Sequence, residues 1–180
     1  MEKAMEFKGR LPDRFRYLIE GDYYRSSERT YDRAIPAYEK ALELYPDDTT
    51  INHNLALTYF DLEEWDKAIS YYERAVNAKT AFAPSFTQLA SAYRAIGEFD
   101  KAQAVLESSL EYIGDKAFIH QGLADLFLFM GKYDLALSAV EKAFSSNPGN
   151  FLSYRFRGKI YMFQGDLKKA EDDFLRLQRK

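Results

Sequence analysis

Cysteine is absent from all 180 residues. That removes disulfides, zinc knuckles and thiol chemistry, and it leaves the compartment unset by redox. Histidine occurs twice, at His53 and His120, far apart and without the short-range partners that metal ligands show. Glycine and proline number nine and five, too sparse for long disordered linkers. Neither sign of charge prevails. Lys and Arg total 25 against 28 Asp and Glu, for a net charge of −3, so the basic face of a general nucleic-acid binder is missing. The longest apolar run, Leu126-Phe127-Leu128-Phe129-Met130, has five residues, where a membrane helix needs about 18. The opening stretch Met1-Glu2-Lys3-Ala4-Met5-Glu6 is charged and lacks the apolar core of a secretory signal. These features predict no nucleic-acid partner and no membrane partner, with the cytoplasm as the default location.

Signatures of catalysis are missing as well. No phosphate loop, nucleophile elbow or dinucleotide fingerprint occurs. The adjacent acids Glu63-Glu64 and Asp172-Asp173 read as solvated positions on a turn and a second helix, not as an acid/base pair. His120 falls at a core position and reads as a satisfied core histidine. The expectation is a non-enzymatic chain with no catalytic residue, no metal and no cofactor.

What the chain does have is a period. Ala34, Ala68, Ala102, Ala136 and Ala170 stand 34 residues apart, the spacing of a helix-turn-helix solenoid. Units beginning at Phe15, Thr49, Ala83, Ala117 and Phe151 align column by column. The eighth place holds Asp22, Ala56, Ala90, Ala124 and Gly158, and the eleventh Arg25, Tyr59, Tyr93, Phe127 and Tyr161. The fifteenth holds Arg29, Glu63, Gly97, Gly131 and Gly165. The seventeenth holds Tyr31, Trp65, Phe99, Tyr133 and Leu167, and the eighteenth Asp32, Asp66, Asp100, Asp134 and Lys168. The twenty-fourth holds Tyr38, Tyr72, Leu106, Val140 and Phe174.

Each column has a physical reason. The fourth, seventh, eighth and eleventh places make one stripe of a first helix, and the twentieth, twenty-fourth and twenty-seventh a stripe of a second. Small residues at the eighth and twentieth places let the two helices approach closely, and large side chains fill the gaps beside them. Glycine at the fifteenth place ends the first helix, where a left-handed residue is cheap. Aspartate at the eighteenth is expected to cap the second helix. The seventeenth-place aromatic is expected to pack over the turn. Pro46 and Pro148, at the thirty-second place, stop the second helix.

Over residues 15 to 180 these columns resemble the tetratricopeptide repeat family. The resemblance implies an all-α, right-handed superhelical solenoid of antiparallel helix pairs. Its boundaries are repeat 1 at 15–48, repeat 2 at 49–82, repeat 3 at 83–116, repeat 4 at 117–150 and an incomplete repeat 5 at 151–180. Residues 1–14 are the tail of a preceding repeat or an N-terminal cap helix, since Pro12 lies one period before Pro46. This phasing suggests a segment of a longer protein; a short N-terminal helix ending in Leu11-Pro12 is the alternative. Departures are local. Asp22 and Arg25 replace the usual Ala and Tyr, so the first helix of repeat 1 is expected to be offset or more exposed. Thr80 and Gly114 replace proline.

The resemblance also implies a concave groove lined by the first helices. In repeat 1 it assigns Arg16, Ile19, Tyr23, Ser26 and Ser27 to that face. The candidate groove residues beyond it are His53, Leu57, Phe60, Arg94, Asp125, Leu128, Phe129, Arg155, Lys159, Met162 and Phe163. Six of these are apolar at places that should be partly exposed, beside three cations, which suits a peptide carrying apolar and acidic residues. The alternative is that some of the apolar side chains pack between adjacent first helices and the charges are solvated. His53 reads as a groove hydrogen-bonder. Some family members clamp a terminal carboxylate with Lys, Asn and Arg at set places; here only Asn54 fits, so that clamp is not expected.

Three functions stay open. One is a protein-interaction scaffold holding a peptide. Another is a regulatory segment of a bacterial signalling protein, because Leu11-Pro12-Asp13-Arg14-Phe15 and Glu20-Gly21-Asp22-Tyr23-Tyr24 resemble arrays that follow kinases, cyclases or DNA-binding regulators. The third is a homo-oligomer formed through the repeat ends, where Phe174 and Leu177 belong to an apolar face.

Overall fold

The period becomes a series of helix pairs. The structure is a computed structural model, and it describes residues 2–77 and 82–178. Among the described residues there are eleven α-helices and no strand. They are α1 (Glu2–Glu6), α2 (Asp13–Arg25), α3 (Tyr31–Leu44), α4 (Thr49–Asp61), α5 (Trp65–Asn77), α6 (Ala83–Ala95), α7 (Phe99–Ser109), α8 (Lys116–Phe129), α9 (Tyr133–Ser146), α10 (Leu152–Gln164) and α11 (Leu167–Gln178). Short 3₁₀ turns lie at Lys8–Arg10 and Glu28–Thr30. The chain forms two units, residues 1–96 with α1 to α6 and residues 97–180 with α7 to α11.

Within unit 1 the principal packing is α2 on α3 and α4 on α5, with α6 laid against α5. Within unit 2 it is α8 on α9 and α10 on α11. The cores are built from the expected stripes. Ala34, Tyr38, Ile51, Leu55, Ala56, Ala68 and Tyr72 have no exposed surface in unit 1, and Ala102, Leu106, Ile119, Ala124, Ala136, Val140 and Ile160 have none in unit 2. Each large apolar side chain so buried stabilises the fold by roughly 1.5–3 kcal/mol. The alanines matter because they are small: Gly158 shows the limit, since a Cβ there would meet the Phe174 ring at 2.7 Å.

The punctuation follows backbone chemistry. Gly97, Gly131 and Gly165 adopt φ of 81°, 71° and 83° at the fifteenth place, the left-handed region that favours glycine. Glu63 occupies the same place in repeat 2 at φ 59° and bears the steric cost of its Cβ. The helices α3 and α9 end at Leu44 and Ser146, two residues before Pro46 and Pro148. Thr80, the departure in repeat 2, lies outside the described residues.

The structure corrects the sequence expectations for two sets of aspartates. Aspartate at the eighteenth place does not cap the second helices. Asp32, Asp66, Asp100 and Asp134 are each the second residue of their helix, where their charge complements the helix dipole. Asp173 is not solvated: it is 3 % exposed and accepts from Arg157 Nε at 2.8 Å and Nη2 at 2.7 Å. Such a bidentate pair couples α10 to α11.

Repeat 1 is displaced along its own axis. Its first helix starts at Asp13, two residues ahead of the boundary at Phe15, and its contacts are one residue early. Gly21, not Asp22, takes the close-approach position, with a notional Cβ 2.3 Å from Tyr38. Tyr24, not Arg25, takes the eleventh place, since Arg33 lies over it at 4.2 Å just as Lys67 lies over Tyr59 at 4.9 Å and Lys169 over Tyr161 at 5.2 Å. The segment before it is helical only in pieces, α1 and a 3₁₀ turn parted at Phe7.

Candidate functional site

The one-residue offset changes which side chains of repeat 1 take the places that the resemblance assigned to a groove. Positions equivalent to Leu57 and Phe60 of α4 become Asp22 and Arg25, in place of Tyr23 and Ser26. Neither is a loose substitute for a core residue. Asp22 accepts from Tyr38 Oη at 2.6 Å and from Asn54 Nδ2 at 2.8 Å, so it fastens α2 to α3 and α4. Arg25 lies 3.9 Å from Asp61, which also accepts from Tyr31 Oη at 3.0 Å. Repeat 1 therefore joins repeat 2 through hydrogen bonds.

Neighbouring first helices use a second such joint. The fifth place of one repeat bonds to the third place of the next: His53 Nδ1 lies 3.0 Å from Ser85 Oγ in unit 1, and Gln121 Nε2 donates to Ser153 Oγ at 3.0 Å in unit 2. His53 is therefore not an open groove residue. It is 8 % exposed, edge-on to Phe82 at 5.0 Å and tilted against Tyr72 at 5.6 Å. Burial, with Arg25 adding to it, lowers its pKa to about 4, so the ring is neutral at neutral pH. His120 is half-buried, and its Nδ1 has no hydrogen-bond partner among the described residues, so the reading of a satisfied core histidine does not hold. Burial, with Lys142 and Lys116, lowers its pKa too.

The other candidates divide between the two units. In unit 1, Leu57, Phe60 and Arg94 are half-buried, and Phe60 meets Trp65 edge to face at 5.0 Å. In unit 2, α8 lies against α10 and both contribute to the first-helix side. Phe129 and Phe163 stand one period apart and are 62 % and 60 % exposed, the most open large apolar groups on the first helices of this unit. Phe129 leans on Phe99 at 6.0 Å, yet most of its ring stays in solvent. Leu128 is half-buried and Met162 is 45 % exposed. Arg155 is exposed and lies over Phe156 at 5.3 Å; Lys159 and Asp125 are half-buried. Sequence reasoning missed Asp22 and Arg25 at these first-helix places. The departures at Asp22 and Arg25 were a signal, but their direction depended on the offset.

Among the described residues no cluster of three or more His, Asp or Glu could hold a metal ion, and no helix is long and apolar enough to cross a membrane.

Known proteins place this geometry. Models of the tetratricopeptide repeat match residues 20–81, 47–113 and 122–180, most of the chain. The chain belongs to the tetratricopeptide repeat family. A crystal structure of MamA protein is 28 % identical, with a TM-score of 0.66 over 90 % of this chain and 88 % of that one. A thermophilic tetratricopeptide repeat protein of Thermus thermophilus is 20 % identical, with a TM-score of 0.72 over 91 % of this chain and 89 % of that one. YrrB, described as a repeat protein with an unusual peptide-binding site, is 22 % identical, with a TM-score of 0.60 over 96 % and 87 %. The last two share the fold. No curated protein sequence matches the chain. Membership in the tetratricopeptide repeat family makes the chain, at the coarse level, a protein-interaction scaffold of helix pairs.

Proposed function

We propose that this tetratricopeptide repeat chain is a non-enzymatic scaffold that holds a peptide or partner segment against its first-helix faces. One observation carries the reading: Phe129 and Phe163 repeat at the same place with about three-fifths of each side chain in water, flanked by Met162 and the cations Arg155 and Lys159. Large aromatic groups held open on a rigid helix cost solvation that a partner recovers, and such anchors dominate interface energetics. Leu57, Phe60 and Arg94 offer a smaller counterpart in unit 1. The partner is a segment with apolar anchors and acidic residues, read by the cations at its rim. The YrrB description, a peptide-binding site in a protein of the same fold, is consistent with it.

The test is a displayed library of random linear peptides selected on the full chain. Peptides bound by the wild type and released by Phe129→Ala with Arg155→Glu, while the circular dichroism spectrum is unchanged, support the reading. A library in which every bound peptide is retained both by this double variant and by Phe60→Asp sinks it.

A second reading has its own observation. Met162, Leu167, Ala170, Phe174 and Leu175 line an apolar hollow of roughly 350 Å³ on α10 and α11. One period earlier, the matching surface of α8 and α9 is covered by α10. A second copy of the chain would cover the exposed one, giving association through a repeat end.

A further inference from the structure

The twenty-fifth place holds Glu39, Glu73, Glu107 and Glu141, and then Leu175 in repeat 5. In unit 1 that glutamate serves the joint between repeats. Tyr59 Oη donates to Glu39 at 3.5 Å, and Tyr93 Oη donates to Glu73 at 2.5 Å. Each following first helix thus brings a hydroxyl to an acceptor on the second helix before it. Leu175 removes the acceptor, and it is exposed on the apolar hollow of α10 and α11. Leu167, also exposed there, stands where the other repeats carry an aromatic. The hollow therefore suits an apolar occupant and not a further repeat of the same pattern.

A second copy has two repeat ends to offer. In a head-to-tail array it would offer α2 and α3 of repeat 1, since the corresponding surface of repeat 2 lies against α3. That end of repeat 1 is a hollow of roughly 260 Å³ lined by Tyr17, Glu20, Tyr24, Asp32, Arg33 and Lys40. It would set these polar groups on Leu167, Phe174 and Leu175, and Tyr24 would meet Leu175 where Tyr59 meets Glu39. Lys8 also lies across this end already, 3.1 Å from Glu20. Polar groups buried without partners cost free energy. The other choice is the hollow of α10 and α11 itself, which sets apolar side chains on apolar side chains.

Charge on α11 sets the direction of the pairing. Lys168 and Lys169 precede Ala170, and Glu171 and Asp172 follow it, so the sign inverts about a small residue on the wall of the hollow. All four charged groups are exposed. Lys169 is held by Asp166 at 2.7 Å, which leaves Lys168 for the contact. A parallel neighbour in register would set like charge on like. An antiparallel one, turned about Ala170, brings Lys168 of each copy to Glu171 and Asp172 of the other, and Leu167 to Phe174. We propose that the α10–α11 face pairs with the same face of a second copy across a two-fold axis near Ala170, with the two α11 helices antiparallel. The proposal rests on the second-copy reading above.

The full chain has no cysteine, so an introduced one is unique. Glu171→Cys, beside the axis, is expected to give a covalent dimer on mild oxidation. Tyr24→Cys mixed with Leu175→Cys is expected to give none. Sedimentation is expected to show a mass that levels at two copies. Lys168→Glu should weaken the dimer about tenfold, because a two-fold axis makes each change act twice, and adding Glu171→Lys with Asp172→Lys should restore it. These three positions are exposed, and an unchanged circular dichroism spectrum separates lost pairing from lost folding. A mass that climbs past two copies, with the Tyr24→Cys and Leu175→Cys mixture cross-linked, overturns the two-fold pairing and leaves second-copy association standing. A dimer that Glu171→Cys does not trap, or that the reversed charges do not restore, overturns the antiparallel pairing alone. A chain that is monomeric at every concentration overturns the second-copy reading as well.

Discussion

His53 shows how a single residue changes meaning once its neighbours are known. Its place in the repeat points to an open groove wall, and it lies instead in the joint between α4 and α6, bonded to Ser85. Its neutrality in the fold sets a pH dependence. The folded chain protonates His53 only near pH 4, whereas the unfolded chain does so near 6.5. Between those values the unfolded state binds more protons, so the contribution is fully present above 6.5 and is lost as pH falls toward 4. The loss amounts to at most about 3 kcal/mol. The urea midpoint of the wild type should fall across this window, and that of His53→Gln should fall distinctly less. Equal slopes would show that His53 is not the group responsible. Asp173 permits a second residue-scale prediction. Removing its charge leaves Arg157 without its bidentate partner, so Asp173→Ala should cost about 3 kcal/mol in chemical unfolding. A change within the error of the measurement would mean the pair is structurally idle.

At the scale of the element, the first helices end in a left-handed residue, and repeat 2 is the exception in chemistry but not in shape. Glu63 holds φ 59° where Gly97, Gly131 and Gly165 hold the same region without a Cβ. Glu63→Gly should therefore stabilise the protein, by about 1 kcal/mol, read as a higher melting temperature. A lower one would show that the glutamate side chain contributes more than the strain removes. The fifteenth-place glycines were visible in the sequence because glycine reports backbone angle directly. The offset of α2 was not. A helix advances 100° per residue, so a slide of one residue turns a different face toward α3, and the 34-residue period of the second-helix alanines does not report that slide. Tyr23 and Tyr24 could each have served as the eleventh-place tyrosine. Only the Arg33 contact with Tyr24 and the seat of Gly21 against Tyr38 separate the two registers.

For the whole molecule, the relevant property is that each helix packs on near neighbours, in two units. Stability in such an array is a sum of local terms, so damage should stay local. Gly158→Val forces a Cβ into the Phe174 ring. It should raise hydrogen exchange in α10 and α11 first and leave α4 and α5 protected. Uniform loss of protection across both units would show that they unfold as one. The apolar hollow on α10 and α11 makes a prediction at the same scale. Mass measured by sedimentation should rise with concentration if a second copy covers it, and Leu167→Glu, at a hollow residue 67 % exposed, should hold the protein as a monomer. A monomeric wild type at high concentration would exclude association through that face.

The period, the helix pairs, the family and the places of the turns were legible in the linear order of residues, because spacing, side-chain size and glycine geometry are local or periodic properties. Phe129 and Phe163 could be named as groove candidates for the same reason: they recur at one place. What the tertiary structure decided was which side chains at equivalent places are free. His53 is consumed by Ser85, Asp173 by Arg157 and Asp22 by Tyr38 and Asn54, while Tyr72 and Arg25 keep unmet donors. Those outcomes depend on hydrogen bonds between residues 16 to 32 positions apart, and such pairings form only when helices from different parts of the chain have docked.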